Sequence, residues 1–283
     1  RDLHSFPTRR SSDLWQKTRV EQLRTALERI RRNPMIEAAS ISLHSSPHIG
    51  SNRSLTLYRD TLQTRYAILD RTVTPDFFNV FRYKSKSGNR GDLVRALERN
   101  ELVISPQVEK ELFPNGESAI GKQISFERSD SADLYRIGAV STEIRYDNFN
   151  NWSSYFAQNM NNDFLAFFSG SYVSALEFCV RVKPEKGHDF IRRFRQEMTQ
   201  QLRIGNYFLG DIRSIPENKK AYQKDNVDDL QMRAFVVLFL LVNIFLGITG
   251  IFWFRTQHRR GEVGLRISLG DTPPLPKIGR ASC

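Results

Sequence analysis

The chain has 283 residues, of which 40% are hydrophobic and 20 are Phe, so its composition excludes a mainly disordered protein and allows one large domain or two smaller ones. The formal net charge is +11, but residues 15–230 carry 32 Lys and Arg against 27 Asp and Glu, and this mixed-sign surface does not indicate a nucleic-acid-binding protein. With two cysteines, one of them the last residue, the chain cannot be a disulfide-stapled domain.

Both ends of the chain resemble a translated sequencing adapter. Thr8–Asp13 (TRRSSD) and Ile278–Cys283 (IGRASC) can be encoded by opposite strands of one oligonucleotide. Two unrelated protein termini rarely share that property; the alternative is a natural, flexible, basic tail. We therefore expect residues 1–14 and 277–283 to be artefacts, and the authentic chain to be a fragment that begins near Trp15.

The first elements after this segment are a helix and a strand. Leu23, Leu27 and Ile30 lie at helical spacing and predict a helix over Val20–Arg32. The apolar run Ile36–Leu43 then predicts a strand.

The middle of the chain alternates turn signals with short apolar runs. A short helix is expected from Thr74 to Phe81, and a second one opens at Pro106. Asn89–Gly91 predicts a turn, whereas Ser141–Gly170 is rich in Asn, Ser and aromatic residues and predicts a long irregular connection. Three strands are expected: Glu101–Ser105, Lys122–Phe126 and Tyr135–Val140.

A second helix-plus-strand unit follows the middle region. It comprises a strand, a turn, an amphipathic helix and a further strand, over Leu176–Val182, Lys183–Gly187, Phe190–Leu202 and Tyr207–Ile212. Because two similar units bracket the middle, we predict an α+β domain of two lobes, with the second lobe inserted in the first. The expected bounds are residues 15–71 and 173–230 for the first lobe and 72–172 for the inserted lobe.

Ala234–Phe254 is the clearest physical signal in the sequence, because its 21 residues include no charge. At about 1.5 Å per residue, a helix of this length crosses a hydrocarbon core of about 30 Å. The buried core helix of a soluble protein seldom runs this long without a charge. We therefore expect a transmembrane helix over residues 231–256 and a cytoplasmic segment over residues 257–276.

Charges on either side of the apolar run predict its direction. Four arginines follow it against Glu262 alone, whereas Asp225, Asp228 and Asp229 precede it. The positive-inside rule then places Arg255 and the residues after it in the cytoplasm. We expect a protein of the bacterial cytoplasmic (inner) membrane whose residues 15–230 are extracytoplasmic, where they would meet no nucleic acid.

No motif in the chain predicts catalysis, a cofactor or a metal site. Gly116–Gln123 nearly matches the P-loop, but Gln123 replaces the hydroxyl residue that would bind magnesium, so a turn between a helix and a strand is expected instead. The histidines are scattered, and neither a nucleophile nor a carboxylate pair stands out. Cys179 stands alone in an apolar run and is expected to pack in the core.

Several short motifs, in this order, resemble the MacB/FtsX-type ABC transporter permeases. Each is short, but together they extend over residues 73–270 with specific spacing. They are VTPDF (Val73–Phe77), LVIS (Leu102–Ser105), ELFPN (Glu111–Asn115), AIGK (Ala119–Lys122), YRIGAV (Tyr135–Val140) and RRGEVGLR (Arg259–Arg266) with Leu269–Gly270.

The resemblance implies a permease subunit that works by mechanotransmission. In this mechanism a separate cytoplasmic ATPase dimerises on ATP, and the permease helices carry the motion to the outer domain, which moves a peptide, lipid, lipoprotein or drug. The family also pairs two permease subunits, as a homodimer or heterodimer, in contact with membrane lipid. The residues that match the ATPase-coupling segment are Arg259, Arg260, Glu262, Val263, Arg266, Ile267 and Leu269.

Physical chemistry agrees with this role but leaves another one open. Val263 and Ile267 fall four residues apart, on one face of a helix. The arginines beside them suit an acidic partner or phospholipid headgroups, and they would equally serve only to enforce topology.

Two other classes of protein fit parts of the pattern. A membrane-anchored extracytoplasmic sensor also places an outer domain beside a membrane helix, but it would continue after Leu269 into a soluble signalling domain. A permease would continue into two further hydrophobic spans. An anchored extracellular enzyme is the third class, and the sequence offers no site for it.

Overall fold

The computed structural model describes residues 9–48, 53–129, 131–144, 154–171, 175–186 and 189–270. The chain divides into two compact units, residues 1–222, called here the outer unit, and residues 223–283. Of the two segments with adapter-like sequence, residues 1–8 and 277–283 lie outside the described residues, and residues 9–14 form the start of the first helix. The adapter interpretation therefore stays a prediction.

Helices and strands alternate along the outer unit, and one long helix follows. The helices are α1 (Arg9–Arg31), α2 (Phe77–Phe81), α3 (Arg90–Glu98), α4 (Pro106–Leu112), α5 (Asn162–Ser171), α6 (Phe190–Gln201) and α7 (Ile215–Ser268). The strands are β1 (Ile36–Leu43), β2 (Arg53–Leu55), β3 (Tyr58–Arg59), β4 (Leu62–Gln63), β5 (Ile68–Val73), β6 (Leu102–Ile104), β7 (Gln123–Ile124), β8 (Tyr135–Val140), β9 (Tyr155–Asn159) and β10 (Leu176–Val182).

One mixed sheet organises the outer unit, with strand order β10-β1-β5-β9-β6-β8-β7. Strand β1 is antiparallel to both β10 and β5, and β2 pairs with β5 beside it. The β5–β9 and β6–β8 pairs are parallel, while β9–β6 and β8–β7 are antiparallel. Residues of the chain's middle region and of its two flanking regions therefore share one sheet.

Alternating side chains send the strands' apolar residues to two faces of this sheet. On one face Val103 and Tyr155 pack with α2 and α3. On the other face Ile41 packs with α1, α5 and α6, and Ile104 packs with α4 at the far end. Because successive side chains point to opposite faces, the central strands β5, β6 and β9 bury residues on both faces of the sheet.

The structure confirms a mixed α/β domain followed by a long apolar helix. The strands predicted over Ile36–Leu43, Tyr135–Val140 and Leu176–Val182 have these same bounds. Residue 72, the expected first residue of an inserted lobe, lies inside β5, which pairs with β1, β2 and β9. The bounds of the two lobes stay a prediction.

Two local predictions were wrong: the strand over Tyr207–Ile212 and the turn at Asn89–Gly91. Tyr207–Ile212 is not a strand; its described pairing is a single bridge between Ile204 and Tyr207, and Phe208 is exposed. Asn89 does not open a simple turn, because its side chain accepts a hydrogen bond from the Gly91 amide at 2.9 Å and caps α3. Asn is favoured both in turns and at helix N-caps, so the tripeptide alone does not separate the two.

The irregular connection predicted over Ser141–Gly170 was also wrong in its second half. Residues 145–153 lie outside the described residues, but Tyr155–Asn159 forms β9 and Asn162–Ser171 forms α5. Strand β9 lies in the middle of the sheet, and its polar Gln158 donates to the buried carboxylate of Asp70 at 3.0 Å. Its polar residues hide it from a hydrophobic pattern, because their partners come from another strand.

Candidate membrane and coupling helix

Helix α7 begins in the outer unit with a reciprocal capping box. The Ser214 amide donates to the Glu217 carboxylate at 3.1 Å, and the Glu217 amide lies 3.3 Å from the Ser214 hydroxyl, which accepts from it. The Ser214 amide first, and the Ser214 hydroxyl next, stabilise the Glu217 carboxylate and hold its pKa below the ordinary value. The sequence carries the S-x-x-E signature of such a helix start, with Pro216 inside the first turn.

The predicted membrane span lies inside α7. By length and composition α7 can cross a membrane, and none of its most apolar window is buried against the rest of the chain. Phe235, Leu238 and Phe245 are each at least 60% exposed. A core helix of a soluble protein would bury such a face, so lipid or other apolar helices are the environment that this surface fits.

Polar side chains within the span are bonded to the helix's own backbone. The Asn243 amide donates to the carbonyl of Phe239 at 2.8 Å, and the Thr249 hydroxyl donates to that of Phe245 at 2.8 Å. In hydrocarbon an unsatisfied donor costs several kcal/mol. These bonds therefore lower the cost of placing the two residues at membrane depth.

The predicted coupling residues continue the same helix up to its end. Successive residues are rotated by about 100° around a helix axis. The six helical ones fall on one half of α7: Arg259, Arg260, Glu262, Val263, Arg266 and Ile267. Leu265 faces away from Val263 by about 160°. The structure thus brings six of the seven residues onto one exposed face.

Leu269, the seventh predicted residue, lies just past the helix. Its amide still donates to the carbonyl of Leu265 at 3.1 Å, and Gly270 then adopts a left-handed φ of 85° that ends the helix. Arg266 pairs with Glu262 one turn earlier at 3.6 Å, a contact between exposed groups. Arg259 and Arg260 remain available as positive charges on the same face.

The near match to a P-loop is a turn, as predicted. Gly116 and Gly121 both have left-handed φ angles, 72° and 83°, between α4 and β7. Lys122 pairs with Glu117 at 2.5 Å instead of facing an open loop.

The outer unit shows buried polar groups but no metal cluster among the residues described. Burial raises the pKa of the Cys179 thiol to about 12, with Glu177 adding to the effect, so this buried thiol is disfavoured as a thiolate. Arg71 lies 5.2 Å above the Tyr155 ring, and burial raises the pKa of that phenol as well. Sequence reasoning missed Arg71, because a charge in a strand predicts exposure.

Comparison with known proteins gives the outer unit a family. A model of the MacB-like periplasmic core domain matches residues 2–192. No curated protein matches the chain. Among solved structures, the periplasmic region of MacB from Actinobacillus actinomycetemcomitans aligns with a TM-score of 0.41 and 10% identity, over 65% of this chain and 76% of that one. The extracellular domain of the ABC-type transporter YknZ from Gram-positive bacteria aligns with a TM-score of 0.39 and 12% identity, over 62% and 80%.

Proposed function

The chain belongs to the family of MacB-like periplasmic core domains and to the MacB/FtsX-type ABC permeases, and we propose that it couples ATP hydrolysis by a separate cytoplasmic subunit to movement of its own outer domain. It is an inner-membrane protein with an extracytoplasmic segment, which we assign to residues 15–230. Peptides, lipids, lipoproteins and drugs are the substrate classes compatible with this role. The substrate would be moved by the outer domain, alongside a second permease subunit.

Helix α7 is the observation that carries the proposal. It starts at the Ser214 cap in the outer unit, contains the apolar window and ends beyond the arginine-rich segment, at Ser268. A continuous helix keeps its backbone hydrogen bonds throughout, so a displacement at one end is passed to the other with little loss. This is the mechanical link that the mechanism requires.

The exposed face with Val263 and Ile267 is the proposed contact with the ATPase. Both side chains are open to solvent in the isolated chain, at 45% and 59%. Burying two aliphatic side chains in a partner contributes about 1.5–3 kcal/mol each. Arg259 and Arg260 flank them and would favour an acidic groove.

The test is recovery of the ATPase with the full-length subunit from membranes. Val263→Asp and Ile267→Asp place a charge in the proposed contact, and we expect each to lower ATPase recovery at least tenfold. Leu265→Asp is the matched control, because it adds the same charge two residues from each of the other sites, on the opposite side of α7. Equal recovery with all three variants, or a loss confined to Leu265→Asp, would contradict the proposed contact.

A further inference from the structure

The connection that follows β1, His44–His48, has an unusual backbone; we call it the β1–β2 loop. His44 and His48 both have left-handed φ angles, 43° and 62°. Few residues other than glycine adopt this conformation, although His does so more often than most. Ser45 and Ser46 between them are buried. Such a backbone persists where its surroundings fix it.

Neighbouring strands supply those fixing contacts. From β5, the Arg71 guanidinium donates to the Ser45 carbonyl. From β10, the Glu177 carboxylate accepts from the Ser46 amide at 3.2 Å and from the Ser42 hydroxyl of β1 at 3.3 Å. The β1–β2 loop is therefore tied to the strands on both sides of β1.

The last residue of the loop touches the start of α7. The rings of His48 and Tyr222 lie 6.0 Å apart, centre to centre, at 48°. Tyr222 belongs to the outer unit, and it is half-buried together with Asn218 and Lys219 at helical spacing. One face of the first two turns of α7 is therefore packed within the outer unit, and His48 contacts that face through Tyr222.

The main chain offers a poorer route between α7 and the sheet. The segment of residues 202–214 that joins α6 to α7 contains one isolated bridge, from Ile204 to Tyr207, and its apolar side chains pack on the core around α1 and α6. Because it pairs with none of the described strands of the large sheet, it gives α7 no hydrogen-bonded connection to them. A side-chain contact with the loop is stiffer, because the loop is held from two strands.

We propose that the β1–β2 loop is the contact through which movement of α7 reaches the sheet of the outer unit. Tyr222 displaces His48, and Arg71 and Glu177 pass the displacement to β5 and β10. Strand β5 also packs Ile68 into the core around α4, so the displacement extends to the far end of the sheet. This inference rests on the proposed function, because it presumes that α7 moves when ATP binds.

Four substitutions isolate this contact. Tyr222→Leu removes one ring while keeping a good helix former. His48→Asn removes the other ring, and Asn accepts the left-handed backbone. Tyr222→Phe keeps the ring as a conservative control, and Tyr66→Leu removes an exposed tyrosine elsewhere in the outer unit.

The assay is electron-spin distance measurement on the full-length permease, assembled with its ATPase in lipid nanodiscs, with and without trapped ATP. In one set of samples each permease subunit carries a spin label at Leu134→Cys, an exposed position of the outer unit, and the distance between the two labels is measured. In a separate set the labels are at Val227→Cys on α7. We expect Tyr222→Leu and His48→Asn each to remove at least half of the ATP-dependent change at position 134 and to leave the change at position 227. The double variant should lose no more than either single one, because both break one contact.

The outcomes separate the inference from its premise. A full ATP-dependent change at position 134 in Tyr222→Leu and His48→Asn overturns the inference and leaves the proposed function standing. No change at position 227 in the parent protein refutes the proposed function, and the inference falls with it. If Tyr222→Leu does not assemble, the comparison of His48→Asn with Tyr222→Phe tests the inference. His48→Asn removes one ring of the contact, whereas Tyr222→Phe keeps both rings.

Discussion

Asp70 offers a quantitative test of the packing in the centre of the sheet. Its side chain is fully buried, 3.2 Å from the Arg53 guanidinium, and its carboxylate accepts from Gln158 at 3.0 Å and Thr72 at 3.1 Å. Burial raises the pKa of Asp70, and Arg53 and the two hydrogen bonds only partly counter this effect. The ionised carboxylate is therefore disfavoured in the folded state.

The sign of the pH dependence follows from that direction. Because the pKa is higher in the folded than in the unfolded chain, the stability that this group contributes is fully present below its unfolded pKa of about 4. It is lost as the pH rises through the folded pKa. Asp70→Asn removes the titration but keeps an oxygen that accepts from Gln158.

The variant also loses the ion pair with Arg53, whose side chain is 40% exposed. Such a half-exposed pair contributes up to about 1 kcal/mol. We expect the free energy of unfolding of Asp70→Asn, relative to the parent, to improve as the pH rises from 4 to 8, because only the parent must ionise a buried carboxyl group. Chemical denaturation of the detergent-solubilised full chain at several pH values measures this, with Arg53→Gln as the control that should steepen the parent's loss. A parent that gains stability over the variant as the pH rises would refute the reasoning.

Two more predictions follow from close packing in the outer unit. A Cβ at Gly138 would lie 2.7 Å from the Ala96 methyl and 2.8 Å from Glu101 Cβ, so we expect Gly138→Ala to destabilise the protein by about 1–3 kcal/mol. Gly210 has open space around it, so we expect Gly210→Ala to leave the stability unchanged. Thermal unfolding of both variants checks this prediction. Burial raises the pKa of the Cys179 thiol to about 12, so we expect Cys179 to stay unlabelled by maleimide at pH 8 in the folded protein and to react once denaturant is added. Rapid labelling of Cys179 without denaturant would show that strand β10 is not packed as described.

Local patterns predicted the elements whose signal needs no partner. The charge-free run Ala234–Phe254 predicted the span, because length and apolarity are properties of the segment itself. Strand β1 and helix α6 were also predicted, since each buries a face at its own period. Residue spacing also placed Val263 and Ile267 on one face of a helix, and both are exposed on α7, while their contact with an ATPase stays a prediction.

Elements whose burial depends on distant strands were missed. No strand was predicted between residues 44 and 71, yet β5 runs through the centre of the sheet with a buried Asp70 and Arg71. Strand β9 falls in Ser141–Gly170, where the abundance of Asn, Ser and aromatic residues predicts an irregular connection. In both cases the partners that satisfy the polar groups come from strands far away in the chain, which a local pattern does not contain.

The sequence by itself determined that this protein has a helix able to span a membrane, a basic segment after it and an α+β domain before it, because hydrophobic length, charge sign and side-chain period are local quantities. Only the tertiary structure decided which residues meet. Arg71, Glu177, His48 and Tyr222 are scattered over the chain from residue 48 to residue 222, and they form one connected set of contacts around the β1–β2 loop. Their proximity comes from strand order and from the packing of α7, and neither is encoded in the spacing of neighbouring residues.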